Sequence, residues 1–362
     1  MWNLFLGFLS FVMSVKVTPI KIIKIVDSFG SREKNNLEFV SPELIRCSVM
    51  QKQMDSCRSL KELIGEWTQF AQNSAQAGAQ VVVFPEYIGL TCLGLVPFCK
   101  KVLSHIIEQG SMQNLKELKF DEIKLKQAVE AFHNFIYEVY MYAFSAIAKN
   151  QKIYIVAGSS LFYEKGSLYN RCVVFGPDGQ PVGSQDKTAS IGLDKLLGVA
   201  ASDVIEVIPT PFGGLGVVLG SDAYYFECFK IAKARGAKII AAPGIGEIGA
   251  LGDILRCRAN ENGQYVLFSP LNFTDNEQAG IFAPLEITPE KDGIVAREKE
   301  QGTQMLTARL NLPKLEKNFD IYYNDPNKEF LQGDYLHSYC YSGKLPLFDQ
   351  EKHRQQMEEI SS

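Results

Sequence analysis

The chain has 362 residues, of which 46% are hydrophobic and 22% are charged. These proportions indicate a globular protein with a core, and they exclude a disordered chain, a collagen-like repeat and a protein with many membrane spans. The 37 basic and 41 acidic side chains leave a formal net charge of −4. Because there is no basic excess to neutralise phosphate groups, we expect no nucleic acid partner.

Eight cysteines are scattered along the sequence without a CxxC pair, and the four histidines form no motif with them. Zinc sites bring cysteine and histidine together at short spacings, so the sequence predicts no metal, and no motif in it indicates a cofactor. Scattered thiols in a chain of this length are typical of a reducing compartment. We therefore expect a cytoplasmic protein with no cofactor.

The N-terminal segment Met1–Val15 carries no charge, and 11 of its 15 residues are apolar. A membrane-spanning helix needs about 18 to 20 apolar residues, and a signal peptide has a basic start and a small-residue cleavage site, which this segment lacks. We assign residues 1–40 to a hydrophobic arm or anchor and leave them out of the fold prediction. Membrane association through Met1–Val15 is the alternative to a cytoplasmic location.

From residue 41 onward, apolar runs alternate with segments of helical periodicity. The predicted strands are Ile45–Met50, Val81–Phe84, Ile153–Ala157, Cys172–Phe175, Gly216–Leu219, Ile239–Ala242, Tyr265–Phe268 and Met305–Leu310. The predicted helices are Leu60–Ala71, Val129–Phe144, Tyr225–Arg235 and Asp253–Asn262. Helices on the outer faces of sheets would bury these strands, so the pattern predicts an α/β fold.

The predicted elements define the extent of the main domain. No linker or internal repeat divides residues 41–313, which we predict to form one domain. Residues 314–362 are polar, rich in tyrosine and poorly periodic. We predict that they form a C-terminal arm.

Polar residues follow three of the predicted strands at the point where each strand ends. Glu86 comes directly after Pro85 and a buried strand. Lys187 follows the return strand of a hairpin whose turn reads Gly-Pro-Asp-Gly. Gly220 and Ser221 lie on a tight turn between a strand and a helix, the geometry that exposes a nucleophile in many enzymes. Taken singly, Glu86 and Lys187 are each more simply interpreted as surface residues.

Taken together and in this order, the segments resemble the nitrilase superfamily, the carbon–nitrogen hydrolases. Its members carry a Glu in F-P-E, a Lys after L-Y-N and P-D-G, a Cys in G-x-x-I-C-x-D, and a helix reading R-x-R-A-x-E-N. This chain matches them with Glu86, Lys187 and the helix of residues 256–262. The resemblance spans roughly residues 45–312. It implies an α-β-β-α sandwich that pairs into homodimers through its helical faces.

The resemblance also implies roles for individual residues. In the family a cysteine thiolate attacks a small amide or nitrile and forms a covalent intermediate. Glu86 matches the general base and Lys187 the group that stabilises the oxyanion. Asp194, seven residues after Lys187, matches a second Glu that orients the site. We expect Ser221 to line the same site.

Gly220 stands where the resemblance places the nucleophilic cysteine. Glycine has no side chain, and losing a covalent nucleophile typically costs on the order of 10⁶ in kcat. The family's His after the lysine is replaced by Ala189, and the Pro before Glu227 by Phe226. We therefore predict a catalytically inactive pseudoenzyme, either a binder of a small amide-like molecule or a scaffold. At Gly220 we expect a void about the size of a thiomethyl group.

The alternative is an active amidase-type hydrolase. In that case Glu86 would activate water directly, or a displaced cysteine would attack the substrate. Cys92 and Cys99 lie in the loop after Glu86, and Cys228 lies in the predicted helix after Gly220. Thiol-dependent turnover of small amides would distinguish this alternative from the pseudoenzyme.

Overall fold

The structure is a computed structural model, and it describes residues 2–31, 43–55, 59–96, 122–245, 250–273 and 277–322. The chain divides into two units, Met1–Glu316 and Lys317–Ser362. Of the second unit only residues 317–322, which continue a helix, are described. Cys99 and most of the predicted C-terminal arm lie outside the described residues.

Helices and strands alternate along most of the described chain. The helices are α1 (Trp2–Lys16), α2 (Pro19–Asp27), α3 (Leu60–Gln76), α4 (Glu122–Gln151), α5 (Leu193–Leu197), α6 (Phe226–Ala234), α7 (Leu251–Asn262) and α8 (Leu312–Tyr322). Short 3₁₀ helices span Ile88–Leu95, Gly220–Tyr224 and Leu285–Ile287. The strands are β1 (Leu44–Gln53), β2 (Val81–Val83), β3 (Tyr154–Val156), β4 (Ser160–Glu164), β5 (Ser167–Phe175), β6 (Pro181–Asp186), β7 (Val207–Thr210), β8 (Gly213–Val217), β9 (Ala237–Ile245), β10 (Tyr265–Asn272), β11 (Gly280–Phe282), β12 (Ile294–Arg297) and β13 (Gln304–Asn311).

The sheet has two halves that share strand β1. The main strand order is β4-β5-β3-β2-β1-β10-β9-β8-β7. Strand β1 pairs with β13 in antiparallel orientation over Leu44–Gln51 and with β2 in parallel over Cys47–Val49, whereas Lys52 and Gln53 at its end pair with β10. The first half therefore holds β1–β6 and β13, and the second half holds β7–β12.

The described residues form four layers, two of helices and two of strands, with a hydrophobic cluster between each layer and the next. The inner cluster combines side chains from both sheet halves, for example Val49 and Val83 with Val217 and Leu267. A second cluster packs the other face of the first half against α3 and α4. A third packs the second half against α6 and α7. The predicted α-β-β-α sandwich is thus confirmed, because each half buries one face on the other half and one face under helices.

The local sequence explains where the helices covering the first half lie. Ser59 caps α3 by accepting a hydrogen bond from the backbone of Glu62 at 3.2 Å. The apolar stripe of α3 is buried, and its Trp67 ring stacks on Phe144 of α4 with centroids 4.9 Å apart. This contact joins two of the predicted helices over the sheet.

The N-terminal segment, left out of the fold prediction, forms α1 and α2 and packs against the body of the protein. Leu6, Ile22 and Val26 are buried in the same cluster as α4. Ser10 Oγ donates a hydrogen bond of 2.6 Å to the carbonyl oxygen of Ala131 in α4. Strands β4, β7, β11 and β12 and the short α5 are further elements that the sequence pattern did not predict.

Candidate functional site

Glu86 is placed by a tight chain reversal after β2. The backbone N–H of Tyr87 donates to Ser159 Oγ at 2.8 Å, and Tyr87 itself adopts a left-handed conformation with φ of 59°. Such a conformation is costly for a residue other than glycine and requires surrounding structure to hold it. On the other side, Gly158 has φ of 64°, and the carbonyl of Pro85 packs where a Cβ would be. Glu86 is therefore fixed in the interior with 1% of its surface exposed.

Lys187 lies between two buried carboxylates. It follows β6, and its backbone N–H donates to the carbonyl of Asn170 in β5 at 2.9 Å. Its Nζ lies 2.6 Å from Glu86 Oε1 and 2.6 Å from Asp194 Oδ2. Asn170 Nδ2 donates to both carboxylates, at 3.0 Å to Glu86 and 3.1 Å to Asp194. The structure thus brings three of the sequence-predicted site residues into direct contact.

Asp194 is held from a further direction. It lies in the first turn of α5, where it is buried. The hydroxyl of Tyr87 donates to Asp194 Oδ1. Because Tyr87 directly follows Glu86 in the chain, this bond ties the loop after β2 to α5.

The turn after β8 is tied to the loop after Lys187. Asp222 accepts hydrogen bonds from the backbone N–H groups of Thr188, at 3.0 Å, and Ala189, at 2.6 Å. Ser221 Oγ donates to the carbonyl of Ala189 at 3.2 Å. These bonds place Gly220 next to the Glu86–Lys187 pair.

The Glu86 carboxylate occupies the space beside Gly220. A Cβ built on Gly220 would overlap Glu86 Oε2 and would lie 2.9 Å from Glu86 Cδ. The prediction of an empty void at this position is therefore wrong. Without a Cβ at residue 220 the carboxylate can pack on the backbone, and its Oε1 is held there by Lys187 and Asn170.

Burial and charge shift the ionisation of the cluster. Burial raises the pKa of Glu86 to about 7, with Lys187 opposing the rise and Asp194 and Asp222 adding to it. Burial also raises the pKa of Asp222 to about 6. For Lys187, burial lowers the pKa, but the carboxylates of Glu86, Asp194 and Asp222 outweigh burial and the net direction is upward. Lys187 therefore stays charged, while Glu86 changes its charge near neutral pH.

A cavity of about 120 Å³ opens onto these groups. Its lining includes Glu86, Lys187, Asp194, Gly220 and Ser221, together with the apolar or aromatic side chains of Tyr87, Ile191, Leu193, Tyr224, Ile245 and Leu251. A water molecule takes about 30 Å³ of liquid volume, so the cavity has room for a molecule of only a few heavy atoms. A larger groove of about 660 Å³ lies between α4 and β4–β6, but it contains none of these residues, so volume alone does not identify the site.

None of the described cysteines lines this cavity. Cys92 is buried in the 3₁₀ helix Ile88–Leu95. Cys228 is buried in α6, with its Sγ 3.6 Å from the Thr188 hydroxyl. Burial, with Asp222 nearby, raises the pKa of Cys228 to about 12, which keeps the thiol protonated and a poor nucleophile.

The described ranges show no candidate metal centre. There, no group of three or more His, Cys, Asp or Glu side chains is arranged to hold a metal ion. The cation that the carboxylates of Glu86 and Asp194 face is the ammonium group of Lys187.

The sequence predictions gave no role to Asn170, Tyr87 or Asp222, which hold the site together. Each lies beside a predicted residue or motif: Tyr87 next to Glu86, Asp222 two residues after Gly220, and Asn170 within the strand that leads to the hairpin. A polar side chain within a buried strand was the available signal for Asn170, because such groups need partners inside the protein.

Fold and site together define a class of protein. The family description "Carbon-nitrogen hydrolase" matches residues 48–313, which is most of the chain. The chain therefore belongs to the carbon–nitrogen hydrolase family, the nitrilase superfamily.

Named relatives agree with this assignment at low identity. The probable hydrolase YhcX of Bacillus subtilis is 26% identical over 299 residues, covering 78% of this chain and 52% of YhcX. The omega-amidase NIT2 of Homo sapiens is 29% identical over 134 residues, covering 34% of this chain and 49% of that protein. The chain thus spans about half the length of these curated relatives.

Solved structures show the same fold. Saccharomyces cerevisiae Nit3, a member of the nitrilase superfamily, superimposes with a TM-score of 0.58 at 15% identity, covering 80% of this chain and 97% of Nit3. An amidase from Nesterenkonia sp. AN1 gives a TM-score of 0.55 at 15% identity, covering 81% of this chain and 98% of the amidase. That structure shows the acetamide moiety of fluoroacetamide added covalently at the active-site cysteine of the amidase. At this identity the likeness concerns the fold alone.

The raised pKa of Glu86 predicts a pH-dependent stability difference. An acid with a higher pKa in the folded chain binds more protons when folded, so its contribution to the unfolding free energy decreases as pH rises from 4.5 to about 7. Relative to Glu86→Gln, the wild type should lose up to about 3 kcal/mol over this range. Urea unfolding of both proteins at pH 5 and pH 8 measures this difference. Replacing the exposed Glu290 by Gln should leave the pH dependence of the unfolding free energy as in the wild type. If Glu86→Gln also showed the same pH dependence as the wild type, the prediction would be wrong.

The packing of Glu86 on Gly220 predicts an energetic coupling between the two positions. Gly220→Ala should cost about 1–2 kcal/mol for left-handed backbone and about 1–3 kcal/mol more for overlap with the carboxylate. In a Glu86→Ala background only the backbone cost should remain. A double-mutant cycle from urea unfolding measures the coupling. Gly166→Ala is the matched control, because Gly166 also has positive φ but open space around it. Equal costs of Gly220→Ala in both backgrounds would refute the coupling.

Proposed function

We propose that this hydrolase-family chain is a pseudoenzyme that binds a small amide-like molecule and does not cleave it. In this proposal Gly220 takes the place of the family's nucleophilic cysteine. The observation that supports it is the position of the Glu86 carboxylate, which fills the space where a side chain at residue 220 would begin. Residue 220 therefore carries no thiol, and the Glu86 carboxylate leaves no room for one beside the base.

The remaining groups suit binding. Lys187 is a hydrogen-bond donor, and the carboxylates of Glu86 and Asp194 are acceptors, which complement the carbonyl oxygen and the N–H groups of a primary amide. All three groups line a cavity that accommodates only a few heavy atoms. The names of the relatives and structural neighbours, which include an omega-amidase and an amidase, support an amide as the ligand class.

An active hydrolase is the second candidate, and one observation favours it. A general base works best when its pKa lies near the working pH, and burial raises the pKa of Glu86 to about 7. Glu86 could then activate a water molecule against a bound amide while Lys187 stabilises the oxyanion. We rank this second because the Oε1 atom of Glu86 already accepts hydrogen bonds from Lys187 and Asn170.

The assembly and location remain part of the proposal. The family resemblance implies a homodimer that pairs through helical faces, which in this chain would include α6 and α7. The described cysteines are not in disulfide bonds, which suits the reducing cytoplasm.

Assays on small primary amides test the proposed function. The wild type should release no more ammonia than Glu86→Gln does, and iodoacetamide should not change this result. Acetamide or propionamide should raise the melting temperature of the wild type, and Glu86→Gln should reduce this rise because the carboxylate acceptor is lost. Ammonia release that needs Glu86 but survives iodoacetamide would establish the water-based hydrolase, and thiol-sensitive release would establish a displaced cysteine.

The control for these assays is a carboxylate outside the site that pairs with a second buried lysine. Lys52 of β1 is 1% exposed, and its Nζ lies 2.7 Å from Glu66 Oε1 of α3. Glu66→Gln removes a comparable partner of a buried lysine without touching the cavity. It should therefore destabilise the protein as Glu86→Gln does while leaving the amide-induced rise in melting temperature unchanged.

A further inference from the structure

The inner faces of α1 and α2 are fixed against the protein. Besides the buried Leu6, Ile22 and Val26, Asn150 Nδ2 of α4 donates to Asp27 Oδ1 at 2.8 Å. Thr18 caps α2, with its hydroxyl accepting from the backbone of Lys21 at 3.4 Å. These contacts determine which side chains of the two helices face away from the protein.

Four large apolar side chains on these helices are exposed. Phe11 and Val15 of α1 are 67% and 60% exposed, one helical turn apart. Ile20 and Ile23 of α2 are 67% and 39% exposed. A single exposed apolar residue is ordinary, but four within thirteen residues mark a surface that contacts something apolar. We call these four residues the N-terminal apolar patch.

Positive charge accompanies the patch. Residues 1–27 contain Lys16, Lys21 and Lys24 and one acidic residue, Asp27, so they carry +2, whereas the whole chain has a net charge of −4 and the remainder therefore carries −6. Lys21 and Lys24 are exposed on α2, beside Ile20 and Ile23. Apolar and basic side chains side by side on short helices are typical of segments that lie in a membrane interface.

The length of these helices restricts how they could meet a bilayer. With 15 residues α1 is about 22 Å long, shorter than the hydrocarbon core of about 30 Å. More generally, the described helices include none with the length and apolar character needed to cross a membrane. Contact with a bilayer would therefore be made by helices lying along its surface.

Charge decides between a membrane and a second copy of the chain as the partner. In a two-fold interface each copy presents the same patch, so the lysines of one copy would approach those of the other. An anionic lipid surface instead attracts basic side chains beside the apolar residues. We propose that α1 and α2 dock the protein on an anionic membrane surface, with the N-terminal apolar patch at the headgroup–acyl boundary and Lys21 and Lys24 facing lipid headgroups. This proposal is independent of the proposed function.

Cosedimentation of the full-length chain with vesicles tests this docking. The protein should bind vesicles of phosphatidylcholine containing about 30% phosphatidylserine. It should bind vesicles of phosphatidylcholine alone much more weakly. Replacing Lys21 and Lys24 by Gln should weaken binding to the anionic vesicles about fivefold per lysine, and added salt should weaken it as well. Phe11→Asn with Ile20→Asn should weaken it on the order of tenfold or more, because their apolar area no longer enters the interface.

Matched variants elsewhere on the surface control for general effects. Val182→Asn removes a 40%-exposed valine of β6, and Lys291→Gln removes a lysine that is 72% exposed. Both should bind the anionic vesicles as the wild type does, and circular dichroism melting should show that all variants fold.

Three results would overturn the proposal. The first is no binding of the wild type to anionic vesicles, and the second is equal binding to both vesicle types without a lysine effect. The third is a fall in mass by light scattering for Phe11→Asn with Ile20→Asn while vesicle binding is unchanged, which would assign the patch to contact between copies of the chain.

Discussion

The ammonium group of Lys187 lies between the carboxylates of Glu86 and Asp194, with all three side chains almost fully buried. Buried charges are tolerated only when they are paired and hydrogen-bonded, so each member depends on the other two. The three residues come from the loop after β2, the loop after β6 and the start of α5. Asp222 then ties the loop after Lys187, in the first sheet half, to the turn after β8 in the second. The ion cluster joins three segments of the first half, and the Asp222 link holds the second half beside them at the site.

The sequence predicted most of the framework of this arrangement. Long apolar runs such as the one in β10 indicate strands buried on both faces, and the amphipathic stripe around Trp67 indicates a helix. The resemblance placed Glu86, Lys187 and Asp194 in one site because their motifs occur in the family's order. Strands β7, β11 and β12 were not predicted, because runs of three or four residues are too short to show a strand periodicity, and each is defined by its pairing with a neighbouring strand, β7 with β8 and β11 with β10 and β12.

Two features depended on tertiary contacts that no local pattern records. The position of the Glu86 carboxylate over Gly220 results from hydrogen bonds with Asn170 of β5 and with Lys187 of the loop after β6. The docking of α1 results from its contact with α4, more than a hundred residues away in the chain. The apolar character of Met1–Val15 was visible in the sequence, but the division into a buried and an exposed face depends on where α4 lies.

The packing of Glu86 on Gly220 has an evolutionary consequence. Any of the other nineteen amino acids at position 220 would place a Cβ on the carboxylate in the present arrangement, so a side chain there requires Glu86 to move. Glu86 would first have to leave its place, but that step alone removes a partner from the buried Lys187. Each change is disfavoured until the other has occurred. We therefore expect the two positions to be epistatic, so that a change at both is tolerated better than a change at either one.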